Sequence, residues 1–118
     1  MREMIMRVLI DNHGSNSCQA WIDSLEKQDL KAYKKLRQHL DYLELFGNDM
    51  LKGGRKPKDI KPLTDVDGLW EIRIDDYRVL FFYFDGDTLV VTNGFSKKRK
   101  TTPQSAITKG LQIKKHYK

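Results

Sequence analysis

With 118 residues, 39% of them hydrophobic, and five Phe, five Tyr and two Trp, the chain can bury one core and no second, so residues 1–118 read as a single domain. Lys and Arg (22) outnumber Asp and Glu (16), and the net charge of +6 favours an acidic partner such as nucleic acid. Cys18, the only cysteine, excludes an intrachain disulfide and a thiolate metal site, and no apolar run is long enough for a membrane span; both point to a cytoplasmic protein without a membrane partner.

Residues 4–10, MIMRVLI, are β-prone and predict a first strand; the run is too short for a signal peptide. The segment DNHGSNS then breaks the chain, with Ser15 or Ser17 available to cap a helix. Cys18, Trp21, Ile22 and Leu25 share one helical face within 17–28. Tyr33, Leu36, Leu40 and Leu43 do the same in a second helix over 29–46, with Gly47-Asn48 as its stop. The near absence of a connection predicts an antiparallel helix hairpin packed on a sheet. Residues 47–62 form a basic loop rich in Gly and Pro, either a solvated connection or, through Arg55, Lys56 and Lys58, an edge that tracks RNA phosphates.

From Asp67 onward the pattern is β. LWEIRI, YRVLFFYF and TLVVTNGF are separated by Asp75-Asp76 and Asp85-Gly86-Asp87, which imposes a three-stranded antiparallel meander. Thr101 or Thr102 then caps a C-terminal helix, with Pro103 at its first position and Ala106, Ile107 and Leu111 inside it. The expected fold class is α+β, with helices layered on one antiparallel sheet.

Alternation puts Glu71 and Arg73 on one face of their strand, and the two-residue turn sets Arg73 opposite Arg78. Like charges facing each other are unfavourable, so a carboxylate such as Glu71 or a bound phosphate is needed to relieve them. The next hairpin brings Asn93 or Gly94 opposite Arg78, one short step before Lys97, Lys98, Arg99 and Lys100. The N-terminus of the last helix adds unpaired N–H groups. Other templates fail: His13, His39 and His116 have no metal-ligand spacing, and neither a glycine-rich phosphate loop nor a serine nucleophile motif occurs. No metal or cofactor is expected.

The ordered motifs Gly68-Leu69-Trp70-Glu71-Ile72-Arg73, Tyr77-Arg78-Val79 and Gly94-Phe95-Ser96-Lys97-Lys98 with Thr102-Pro103 resemble the HigB-like branch of the RelE/ParE toxin superfamily, phage-derived toxin-like proteins among them. The resemblance spans about the last half of the chain. It implies a RelE-like fold: an N-terminal strand, a two-helix hairpin, the meander and a C-terminal helix. It also implies the toxin of a type II toxin–antitoxin system, an mRNA interferase cutting ribosome-bound messenger without a metal. The expected partners are the ribosome with its mRNA and a helix-turn-helix, HigA-like antitoxin.

By position, Arg78 matches the strand arginine of RelE-like active sites, Arg73 a basic position on the preceding strand, and Lys97 or Lys98 the basic residue ending the last strand. Some members place a tyrosine in the C-terminal segment, whereas here Tyr117 comes only at the far end. Arg73 and Arg78 suit the developing phosphorane charge, and a lysine crowded by cations, Lys97 or Lys98, can act as base or acid, with Glu71 a rival base. Arg99 and Lys100, with Arg55, Lys56 and Lys58, would hold RNA. Arg78→Ala is expected to abolish cleavage with the fold intact. The alternatives are a nucleic-acid-binding or phage accessory domain without chemistry, and a ParE-like gyrase inhibitor.

Overall fold

The computed structural model describes residues 6–64, 66, 68–97 and 102–117. The elements run β1 (Arg7–Ile10), α1 (Cys18–Gln28), α2 (Leu30–Leu51), β2 (Ile60–Pro62), β3 (Trp70–Ile74), β4 (Tyr77–Tyr83), β5 (Thr88–Ser96) and α3 (Gln104–Lys115). The five strands form one sheet in the order β1-β5-β4-β3-β2. The α+β class stands, but the layout departs from the expected one in three ways. β2 is an additional edge strand; β1 pairs parallel to β5, which makes the sheet mixed; and the helices occupy both faces.

Local chemistry sets the helix hairpin. Ser17 caps α1, its Oγ accepting from Ala20 N at 3.1 Å, a contact that typically contributes about 1 kcal/mol. Asp29 ends α1 and caps α2 at once, accepting from Ala32 N at 3.1 Å, so the joint is one residue long. α2 runs past the predicted stop at Gly47-Asn48. Gly47 faces Met6, whose Cγ would lie 3.1 Å from an added Cβ, and Asn48 Nδ2 donates to Gly86 O at 2.7 Å. Both residues are used for packing against the sheet. Termination falls to Gly53, which has a φ of 86°.

The apolar run of β4 is buried on both sides, the pattern of a strand covered by two layers. Val79 and Phe81 join Ile22, Leu36, Leu40, Leu43, Ile72 and Val91 under α1 and α2. Leu80 and Phe82 join Leu69, Val90 and Ile107 under α3. The predicted register of the first hairpin is observed, with Ile74 opposite Tyr77 and Arg73 opposite Arg78. The second hairpin carries a bulge: Leu80 pairs with Asn93 but Phe81 with Val91, so Thr92 is the extra residue. That single insertion moves Arg78 opposite Phe95, where Asn93 or Gly94 was expected.

Candidate functional site

The charged face lies on the α3 side of the sheet, at the end where α3 begins. β3 contributes Glu71 and Arg73, β4 contributes Arg78 opposite Arg73, and Lys97 follows directly on β5. β2 contributes Lys61, paired with Glu71. Lys61 belongs to the basic segment that reads in the sequence as a loop, and it was not expected at the site. Its signal was weak, since Ile60 is the only apolar residue in KDIKP and a lone apolar position has no period.

The two arginines diverge. Arg73 is exposed, while Arg78 turns inward and keeps 9% of its surface. Arg78 Nη1 donates to Asp75 O at 2.8 Å and Tyr77 O at 2.7 Å, closing the turn in which Asp75 has a φ of 51°. Arg78 Nε stands 4.0 Å from Oε1 of Glu71, which is fully buried. Oε2 of Glu71 accepts from the hydroxyl of Thr102. Among the described residues neither Arg78 Nε nor Glu71 Oε1 has a hydrogen-bond partner. The carboxylate relief foreseen for the arginine pair is therefore present, but it serves Arg78 and leaves Arg73 facing solvent.

Lys97 is 8% exposed and its backbone N–H donates to Asp76 O at 2.6 Å, which pins the end of β5 to the β3–β4 turn. Burial pushes its amine below the ordinary lysine value; Glu71 pulls the other way, and Arg78, Lys61 and Arg73 add to the depression. Four cations thus surround one carboxylate. Such a surface attracts a polyanion, and a lysine held down in this way gives up its proton more readily than an exposed one.

Lys98, Arg99 and Lys100, with the potential cap Thr101, lie outside the described residues. Arg55, Lys56 and Lys58 are exposed between α2 and β2; among the described residues no hydrogen bond or ion pair joins their side chains to the cluster. Thr102 does not cap α3, which starts at Gln104 after Pro103 without a side-chain cap. Tyr117 is at the other end of α3, about 18 Å away along a 12-residue helix. Its hydroxyl donates to the buried Asp11 at 3.1 Å, and burial pushes its ionisation up to about 12. Cys18 is buried as well, its thiol pushed up to about 12, which removes it as a nucleophile.

A polar cavity of about 410 Å³ beside Trp21 and Lys109, and an apolar groove of about 680 Å³ beside Phe82 and Leu111, both lie away from the charged face. Within the cluster, Lys61 and Arg73 are exposed and free to meet the phosphates of a polymer, while Glu71, Arg78 and Lys97 are buried beneath them. Among the described residues no group of three or more His, Cys, Asp or Glu is placed to hold a metal ion, and no helix is long and apolar enough to cross a membrane.

The family model described as phage-derived protein Gp49-like (DUF891) matches residues 21–115. No curated protein matches the chain. The matched span includes every cluster residue and most of the fold, and the chain belongs to the Gp49-like family, which is part of the RelE/HigB-like toxin group.

Proposed function

We propose that this Gp49-like protein is the toxin of a type II toxin–antitoxin pair in the HigB-like branch, an mRNA interferase that cuts messenger on the ribosome. The observation that carries the reading is the cluster of Lys61, Arg73, Arg78 and Lys97 around the single buried carboxylate of Glu71. The family supplies the context, being of a toxin type that typically has an antitoxin partner; we assign this chain a helix-turn-helix, HigA-like one.

The chemistry follows from RNA itself. Its 2′-hydroxyl attacks the adjacent phosphorus when a base removes the proton, an acid must meet the departing 5′-oxygen, and negative charge collects on the phosphorane. Exposed Arg73 and Lys61 take the phosphate oxygens. Lys97, depressed by burial, holds or gives up the proton. Arg78 fixes the β3–β4 turn and supplies positive potential from below. Glu71, buried and bonded to Thr102, is placed as a counter-ion; its burial argues against a direct part as base.

The test is a translation extract containing a defined message, with the new 5′ ends mapped for the wild type and for Arg73→Ala. Cuts in phase with codons, seen with the wild type and at least about 100-fold weaker in the variant, are expected for loss of a charge-stabilising donor. Cuts without codon phase would make the protein a free ribonuclease. Intact message in a translating extract would overturn the nuclease reading in favour of nucleic-acid binding without chemistry, or of gyrase.

A further inference from the structure

Thr102 stands where the sequence predicts a helix cap, yet its hydroxyl is spent on the Glu71 carboxylate and α3 begins uncapped. That choice leaves first-turn N–H groups of α3 without the partner a threonine would give them. Positions where a local rule is set aside tend to be held by a site. The bond also has a clear geometric effect. It ties the segment leading into α3 to the middle of β3, engages Oε2, and leaves Oε1 directed at Arg78 Nε, 4.0 Å away.

We propose that Thr102 is a positioning residue: by holding Glu71 it fixes the one carboxylate among Lys61, Arg73, Arg78 and Lys97, and so sets the field in which Lys97 holds or releases its proton. For its part in cleavage the inference rests on the nuclease reading; the coupling from Thr102 through Glu71 to Lys97 does not. Among the described residues, the charged groups that act on Lys97 are Glu71 and Arg73 from β3, Arg78 from β4 and Lys61 from β2. Glu71 alone among them favours the ammonium form. A carboxylate released to turn elsewhere would leave, of these four groups, only cations acting on Lys97, and its proton would come off more easily.

The experiment is an NMR titration of the lysine side chains in the full-length protein, with the Lys97 signal assigned by its loss in Lys97→Met. Thr102→Val removes the hydroxyl at nearly constant shape, and Thr102→Ser keeps it. The Lys97 midpoint is expected to fall by about half a pH unit or more in the valine variant and to stay with the wild type in the serine variant. The Lys97-dependent limb of the cleavage profile moves with it. A folded Thr102→Val protein whose Lys97 midpoint does not move overturns the proposal and makes Thr102 a mere strut. Should the valine variant fail to fold, Glu71→Gln decides: an unmoved Lys97 there also overturns it. A moved midpoint in a protein that cuts no RNA upholds the positioning role and removes the nuclease reading.

Discussion

At the scale of single residues, the two arginines that the sequence places face to face have different jobs and different costs on removal. Arg78 is buried against Glu71 and two turn carbonyls, so Arg78→Ala strands a buried carboxylate. Breaking one side of such a pair typically costs about 3–5 kcal/mol, and the 4.0 Å separation puts this case at the lower end. The sequence-based expectation of an intact fold after Arg78→Ala therefore does not follow. Urea midpoints should show the loss, with part recovered in Arg78→Ala/Glu71→Ala, whereas exposed Arg73→Ala should stay within about 0.5 kcal/mol of wild type. Lys97 runs the other way. Its amine is held below the ordinary lysine value in the folded protein, so the folded state binds the proton less well than the unfolded chain. Stability then rises as pH climbs from the lowered folded value toward the ordinary 10.5, and is at its poorest below both. Lys97→Met should raise the melting temperature at neutral pH, with the gain vanishing above that window, and under the proposed function it should also abolish cleavage.

At the scale of elements, β2 is the piece that completes the charged face. Ile60 is fully buried and paired with Ile72, and its neighbour Lys61 is thereby set opposite Glu71 across the β2–β3 ladder. Ile60→Ala should cost about 3 kcal/mol in denaturant unfolding, a usual figure for truncating a buried isoleucine, and under the proposed function it should also lower cleavage by loosening Lys61. The legible elements were those with a period. α1 showed its face through Cys18, Ile22 and Leu25, and β3 and β4 showed register through a two-residue turn, so Arg73 against Arg78 could be read directly. What escaped depends on contacts between distant residues. Gly47 and Asn48 look like a helix stop until Met6 and Gly86 are seen beside them. Thr92 looks like an ordinary strand residue until the bulge appears, and Thr102 like a cap until Glu71 takes its hydroxyl. The division of helices between the two faces was implicit in the unbroken apolar run of β4, which a sheet covered on one side has no reason to contain.

At the scale of the whole molecule, charge is sorted by position. A net charge of +6 favours a polyanion, and under the proposed function the exposed cations beside Glu71 are where it would rest. For single-stranded RNA each phosphate neutralised contributes about 0.7 to the slope of log affinity against log salt. Replacing Lys61 and Arg73 together should flatten that slope by about 1.4, measured by fluorescence anisotropy with an uncleavable oligonucleotide. An unchanged slope would mean that RNA rests elsewhere. The parallel pairing of β1 with β5 has a different kind of outcome. Arg7 meets Thr88, 81 positions along the 118-residue chain, and among the described residues β5 is the one strand that β1 pairs with. Closing so long a loop makes this the slow contact of folding. During synthesis β1 is made long before β5, so it waits without its sheet partner until β5 is available, and the five-stranded sheet that carries the charged face can be completed only then.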